Sequence, residues 1–243
     1  MRIVLVNVNT SESVTESLRR HAARFAASGT EIHAITPFFG PAAVEGYFDG
    51  QISAAAVMDR VAALTEPYDA VIEGGFGEGG QPGLQEMVAV PVISITDAAA
   101  FAACLLGRRF SVMTTVPQAA RQVADRLLLA GLRDRCASIR PTGLQIPDLE
   151  RDPGSAVDLI VKTAALAVAE DGADVICLGC AAMADLQDQI AEAAAVPVVE
   201  GVSAAVKLAE ALHVLGLRPG LKAGSEPRSQ VPGWPLHRYL PRP

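Results

Sequence analysis

The 243-residue sequence predicts an α/β protein of two similar lobes, each carrying a parallel sheet. Three observations carry that prediction. Short apolar runs alternate with longer helical stretches along most of the chain, the pattern of strands joined by crossover helices. Half of the residues are apolar, which is ample for two cores of ordinary size. The chain also repeats itself. "AVPVISITDAAA" (89–100) is matched by "AVPVVEGVSAAV" (195–206), an offset of 106. "RIVLVNVNT" from Arg2 is echoed by "RFSVMTTV" from Arg109, and aligning Asp69 with Asp174 puts Gly75 opposite Cys180.

The apolar runs place strands at 2–7, 31–36, 69–73, 91–95, 109–114, 136–140, 174–178 and 197–200. Helices fall at 12–27, 51–65, 83–89, 97–106, 117–131, 154–171, 183–194 and 202–215. Thr10 and Ser11 precede the first helix, and Asp97 and Ser203 open two others, the residue types that cap helix N-termini. The expected lobes are 1–96 with 202–216, and 97–201, related by a pseudo-two-fold axis. From residue 217 to 243 the chain is rich in Pro, Gly and Arg and reads as an extended tail. Trp234 and Tyr239 would pin it to the body or to a neighbouring subunit of a homo-oligomer.

Composition narrows the function. The net charge of −7 comes without a cluster of Lys and Arg, and aromatic residues make up 5% of the chain, which argues against nucleic acid. No signal-peptide pattern opens the chain and no apolar run is long enough to span a membrane, so a cytoplasmic protein that binds no membrane is expected. Of the four cysteines, Cys177 and Cys180 form a C-x-x-C. The four histidines are scattered, so no zinc set is completed and no metal is expected. Cys177 sits inside an apolar strand, where a buried inert thiol is the ordinary outcome.

"VIEGGFGEGGQPGL" (71–84) contains G-x-G-x-x-G at Gly75, Gly77 and Gly80. A dinucleotide fingerprint needs a long helix after its glycines. Here Pro82 and Gly83 fall where that helix should begin, although Asp97 stands at a tolerable distance for a ribose contact. The repeat accounts for the segment differently: its counterpart carries a thiol. Ligands of parallel sheets bind beyond the carboxyl ends of strands, and both the Gly75 and Cys180 loops follow such ends. A two-fold axis would bring them face to face across one cleft, the expected active site. Acid/base groups on two faces of an sp³ carbon suit racemisation through a planar enolate, with helix N-termini stabilising the negative charge and no cofactor required.

"VNVNTS", "FFGPAAVEGYFD", "RFSVMTT", "LGCAAMADL" and "GVSAAVKLAEAL" resemble the hydantoin racemase branch of the aspartate/glutamate racemase superfamily. The resemblance implies a small-molecule substrate and a catalytic role for Cys180, with Ala181 beside it in the loop. Asn9, Thr10 and Ser11 match a family loop of the form Asn-Pro-Asn-Thr-Ser that holds the substrate's polar ring or carboxylate, with Val8 in place of proline. Thr114 and Thr115 match the family's paired threonines after the fifth strand. In a family motif of the form Cys-Phe-Gly-Asp-Pro-Gly-Leu, Phe76, Gly77, Pro82, Gly83 and Leu84 match. Gly75 stands where the first cysteine would be, Glu78 stands for the aspartate, and about three residues are inserted after it. Glu78 is therefore either a replacement base or a solvated loop charge. Decarboxylases of the superfamily also pair one cysteine with a glycine. The implied outcomes are epimerisation, decarboxylation, loss of a substituent such as sulfide from a thiohydantoin, or a cleft reduced to binding a small acid.

Overall fold

The computed structural model describes residues 1–77, 80–144, 151–220 and 233–239. Among the described residues the strands are β1 (Arg2–Val6), β2 (Glu31–Ile35), β3 (Ala70–Glu73), β4 (Val92–Ser94), β5 (Phe110–Thr114), β6 (Cys136–Pro141), β7 (Val175–Leu178) and β8 (Val198–Glu200). The helices are α1 (Glu12–Phe25), α2 (Tyr47–Ala62), α3 (Gly80–Met87), α4 (Ile95–Leu106), α5 (Pro117–Leu129), α6 (Pro153–Asp171), α7 (Gln187–Ala193) and α8 (Gly201–Val214). A 3₁₀ turn, Ala181–Leu186, precedes α7. Among the described residues no helix is long and apolar enough to cross a membrane.

The strands form two four-stranded sheets of one topology, β2-β1-β3-β4 and β6-β5-β7-β8. β1 pairs in parallel with β2 and β3, β5 with β6 and β7, and β7 with β8. The sequence repeat is thus a structural one, and it extends to single hydrogen bonds. Asp69 N donates to Arg2 O and Asp174 N to Arg109 O, each at 2.8 Å. The two aspartate carboxylates return the contact, accepting from Arg2 N and from Arg109 N. Gly74 N donates to Val6 O at 2.8 Å and Gly179 N to Met113 O at 2.7 Å. Gln81 and Gln187 each reach the carbonyl of the fourth strand, Val92 and Val198.

One compact unit comprises Met1–Gly74, Glu78–Ile93 and Val206–Pro243; the other comprises Gly75–Gly77 and Ser94–Ala205. In the first, β3 is buried along its whole length and β1 nearly so, as expected of inner parallel strands covered on both faces. Val4, Val6 and Val71 pack with Val57 and Val61 of α2 and Leu84 of α3. In the second, β5 and β7 are equally buried, and Met113, Ile176 and Leu178 pack with Ile160 and Ala164 of α6 and Ile190 of α7. The helix α4 packs on β7 and β8, the strands of the sheet that follows it.

Several boundaries differ from the sequence reading. The helix α3 starts at Gly80, with Pro82 in its first turn. A first-turn proline forfeits only an N–H that lacks an intrahelical acceptor, so Pro82 and Gly83 do not stop the helix. The caps of α4 and α8 also lie further upstream. Ser94 caps α4, accepting from Thr96 N, and Glu200 receives Val202 N and Ser203 N at the start of α8. Asp97 instead forms a bidentate pair with Arg126 of α5, its side chain 12% exposed. That pairing removes it as a ribose ligand, and the eight-residue α3 removes the dinucleotide fold. The tail is not wholly extended: Leu236–Tyr239 forms a 3₁₀ turn packed against α2, and Trp234 is half-buried. The side chain of Tyr239 lies outside the described residues.

Removing one partner of a largely buried ion pair strands the other charge. Asp97→Ala is therefore expected to cost about 3 kcal/mol in urea unfolding. Asp97→Leu combined with Arg126→Met should cost less than Asp97→Ala alone.

Candidate active site

In the second unit the chain leaves β7 at Leu178 and turns within two residues. A Cβ on Gly179 would fall 2.6 Å from Val112 Cγ1 and 2.8 Å from the backbone oxygen of Met113, so only glycine fits. Cys180 follows in extended backbone (φ −154°, ψ 132°) at the N-cap position of the 3₁₀ turn, and its carbonyl accepts from Met183 N at 3.0 Å. One side of Cys180 packs on the core around Met183, and the residue is half-buried. Ala181 beside it is half-buried as well. A thiol is thus held at a strand's carboxyl end, before a helical turn whose N–H groups favour an anion.

The other cysteines differ in environment. Burial pushes the Cys136 thiol up to about 11. Burial also raises the Cys177 thiol well above the ordinary range, and Cys177 donates to Ala99 O. Both stay protonated and inert near neutrality. Among the described residues no group of three or more His, Cys, Asp or Glu side chains could hold a metal.

Thr114 is fully buried, and its hydroxyl donates to Gly179 O at 3.4 Å. It braces the turn that carries Cys180. Thr142 binds the Thr114 carbonyl through both its amide and its hydroxyl. Thr115 is half-buried, and its carbonyl accepts from Gly143 N.

In the first unit the loop after β1 is organised by Asn7, a residue the motif reading passed over. Asn7 is fully buried, and its Nδ2 donates to Asn9 Oδ1, Ser11 O and Thr15 Oγ1 at 2.9–3.0 Å. Asn9 Oδ1 also accepts from Ser11 N. Thr10 bonds Pro41 O through its amide and hydroxyl, and Ser11 Oγ caps α1 at Val14 N. The cap reading of this loop holds, and its polar groups are tied into one rigid turn. The signal for Asn7 was its spacing from Asn9, since paired Asx residues build such turns.

The Gly75–Gly77 segment packs with the second unit. Gly75 and Phe76 are buried. Gly77 has φ +98°, a conformation that glycine tolerates, and a Cβ there would crowd Val123 of α5 at 3.0–3.1 Å. Its amide donates to Thr96 Oγ1 at 2.8 Å. No sequence signal pointed to Thr96, because its partners lie about twenty residues upstream. Glu78, the candidate second base, lies outside the described residues.

The chain thus repeats one parallel α/β unit and carries a half-buried thiol at the carboxyl end of one inner strand. Comparison with known proteins gives the family. The profile of Asp/Glu/Hydantoin racemase matches residues 3–209, and the chain belongs to that family. A hydantoin racemase from a Pseudomonas species is 34% identical over 217 residues, covering 89% of this chain and 87% of its own. The structure of an allantoin racemase from Pseudomonas fluorescens superposes with a TM-score of 0.92 at 50% identity, over 95% of this chain and 99% of that one. An allantoin racemase from Klebsiella pneumoniae superposes with a TM-score of 0.89 at 34% identity, over 95% of each chain.

Thiols alkylate as thiolates, so a raised pKa slows the reaction at a given pH. With iodoacetamide at pH 8, peptide mass spectrometry should find Cys180 and Cys104 modified. Cys136 and Cys177 should stay unmodified until denaturant is added.

Proposed function

We propose that the protein is a cofactor-independent enzyme that epimerises a hydantoin-like ring, with allantoin and 5-substituted hydantoins as the substrate class and Cys180 as acid/base. The observation that carries this reading is the placement of Cys180. It is a half-buried thiol at a strand end, fixed by a glycine that admits no side chain, in a chain half identical to an allantoin racemase.

The ring carbon that inverts lies beside a carbonyl, so its C–H is a carbon acid. In one direction the Cys180 thiolate takes the proton: an S–H bond forms, the C–H bond breaks, and the electron pair moves into an enolate. In the other direction the thiol returns the proton to the planar carbon. Backbone N–H groups of the loop after β7 would stabilise the enolate oxygen without reorganising. Asn9, Thr10, Ser11, Thr114, Thr115 and Ala181 belong to the substrate-binding loops on this reading, Thr114 acting through the Gly179 turn.

Gly75 carries no acid/base group. Inversion by two thiols would need a cysteine in its place, and Glu78 or a water takes that role here. A second reading follows from the same position. With one thiol and no opposing base, the enzyme would protonate an enolate on one face only, as a lyase that decarboxylates a substituted malonate or expels sulfide from a thiohydantoin.

The test is turnover by wild type and Cys180→Ser, followed by circular dichroism for single enantiomers of allantoin and 5-substituted hydantoins, and by product release for arylmalonates and thiohydantoins. Loss of about 10³-fold in kcat with KM little changed is expected for Cys180→Ser, because a serine hydroxyl transfers a proton poorly near neutrality. Wild-type racemisation untouched by Cys180→Ser would overturn the role given to the thiol. Release of product without racemisation would favour the lyase.

A further inference from the structure

The Thr96 hydroxyl sits within hydrogen-bonding range of two backbone groups that flank Phe76. It accepts from Gly77 N at 2.8 Å and donates to Gly75 O at 3.5 Å. Thr96 itself is fully buried, and its own amide is held by Ser94 Oγ at 3.1 Å. The turn is therefore tied to the start of α4 through this hydroxyl. Gly77 rests directly on α5, where a Cβ would meet Val123 N at 3.0 Å. These contacts explain why three residues that follow β3 pack with the second unit rather than the first.

The repeat supplies an internal comparison. The position equivalent to Thr96 is Val202, also buried, in the matching stretch 195–206. Valine fits the first turn of this helix in one copy, whereas the other copy has a hydroxyl. Packing alone does not require that hydroxyl. Its partners are the turn that stands, by the sequence repeat, where the second copy carries Cys180.

We propose that Thr96 is a positioning residue for proton transfer, its hydroxyl fixing the backbone of the Gly75–Gly77 turn against the reacting ring. The proposal rests on the racemase reading for its catalytic part, while the fixing of the turn stands independently. With glycine at 75 and 77 and only an apolar phenyl ring at 76, the turn can serve proton transfer only through backbone N–H and C=O groups, and these serve a developing enolate only when held in place beforehand. A shift of about 1 Å in such a group costs on the order of 10²-fold in rate.

The experiment compares wild type, Thr96→Val and Thr96→Ser in the full chain. Thr96→Val keeps the shape and removes the hydroxyl; Thr96→Ser keeps the hydroxyl. Amide hydrogen exchange reads the turn directly. Thr96→Val should speed exchange at Gly77 about tenfold, and Thr96→Ser should leave it near wild type. With a hydantoin or allantoin substrate, Thr96→Val should lower kcat about 10- to 100-fold with KM changed less than threefold, and Thr96→Ser should restore most of it. Unchanged exchange at Gly77 in Thr96→Val overturns the proposal whatever the activity. Faster exchange with unchanged kcat overturns the catalytic role of the turn. A wild-type protein that turns over no probe overturns the racemase reading, and the exchange result alone then decides whether Thr96 holds the turn.

Discussion

The structure depends on how its two inner strand pairs are closed. In each copy of the repeat an aspartate and an arginine backbone lock the amino end of the pair, and a glycine amide locks the carboxyl end. Gly74 and Gly179 are forced by proximity. Their α-carbons press on the neighbouring strand, where a Cβ would lie 3.0 Å from Val6 O and 2.8 Å from Met113 O. The closing hydrogen bond ends the ladder at a fixed residue, and the next residue leaves the sheet at the strand's carboxyl end. In one copy that residue is Cys180, in the other Gly75. Rigidity of this kind suits acid/base chemistry, which needs the transferring atom within hydrogen-bond distance of its carbon before reaction begins.

The two copies use the same scaffold with different chemistry at equivalent positions. Ser94 caps α4 with a hydroxyl, whereas Glu200 brings a buried carboxylate to the start of α8. Thr96 aligns with Val202, and Gly75 with Cys180. The parallel sheets supply the constraint common to both, because inner strands covered on both faces stay buried although their residues differ, as Val4 aligns with Ser111 and Val6 with Met113.

Much of the fold was legible because its signals are local or periodic. Strand positions follow from apolar runs, and the repeat announced the shared topology. Helix starts were less legible. Tyr47–Gly50 is helical although Gly46 and Gly50 resemble a turn in sequence, and buried Gly50 is explained only by its packing in α2. Pro82 looked like a breaker until its place in the first turn was known. At the site, Cys180 and the Asn9–Ser11 loop were visible as motifs. Gly179 and Thr96 were less so, since each acts through partners set by tertiary contact, whereas Asn7 is bonded within its own loop and the start of α1. Thr114 was visible as a family threonine, and the bond from its hydroxyl to the loop that bears the thiol was not.

On the proposed racemase reading, inversion passes through removal and return of a proton at the ring carbon. Its most direct measurement is the fate of that proton when one enantiomer of allantoin or a 5-substituted hydantoin is turned over in D₂O. Proton NMR would follow the ring C–H while optical activity is recorded, with the rate in buffer alone subtracted. A thiol exchanges its proton with solvent rapidly, so the account predicts that every inverted molecule carries deuterium at the ring carbon. Inversion that retains the original hydrogen would contradict it.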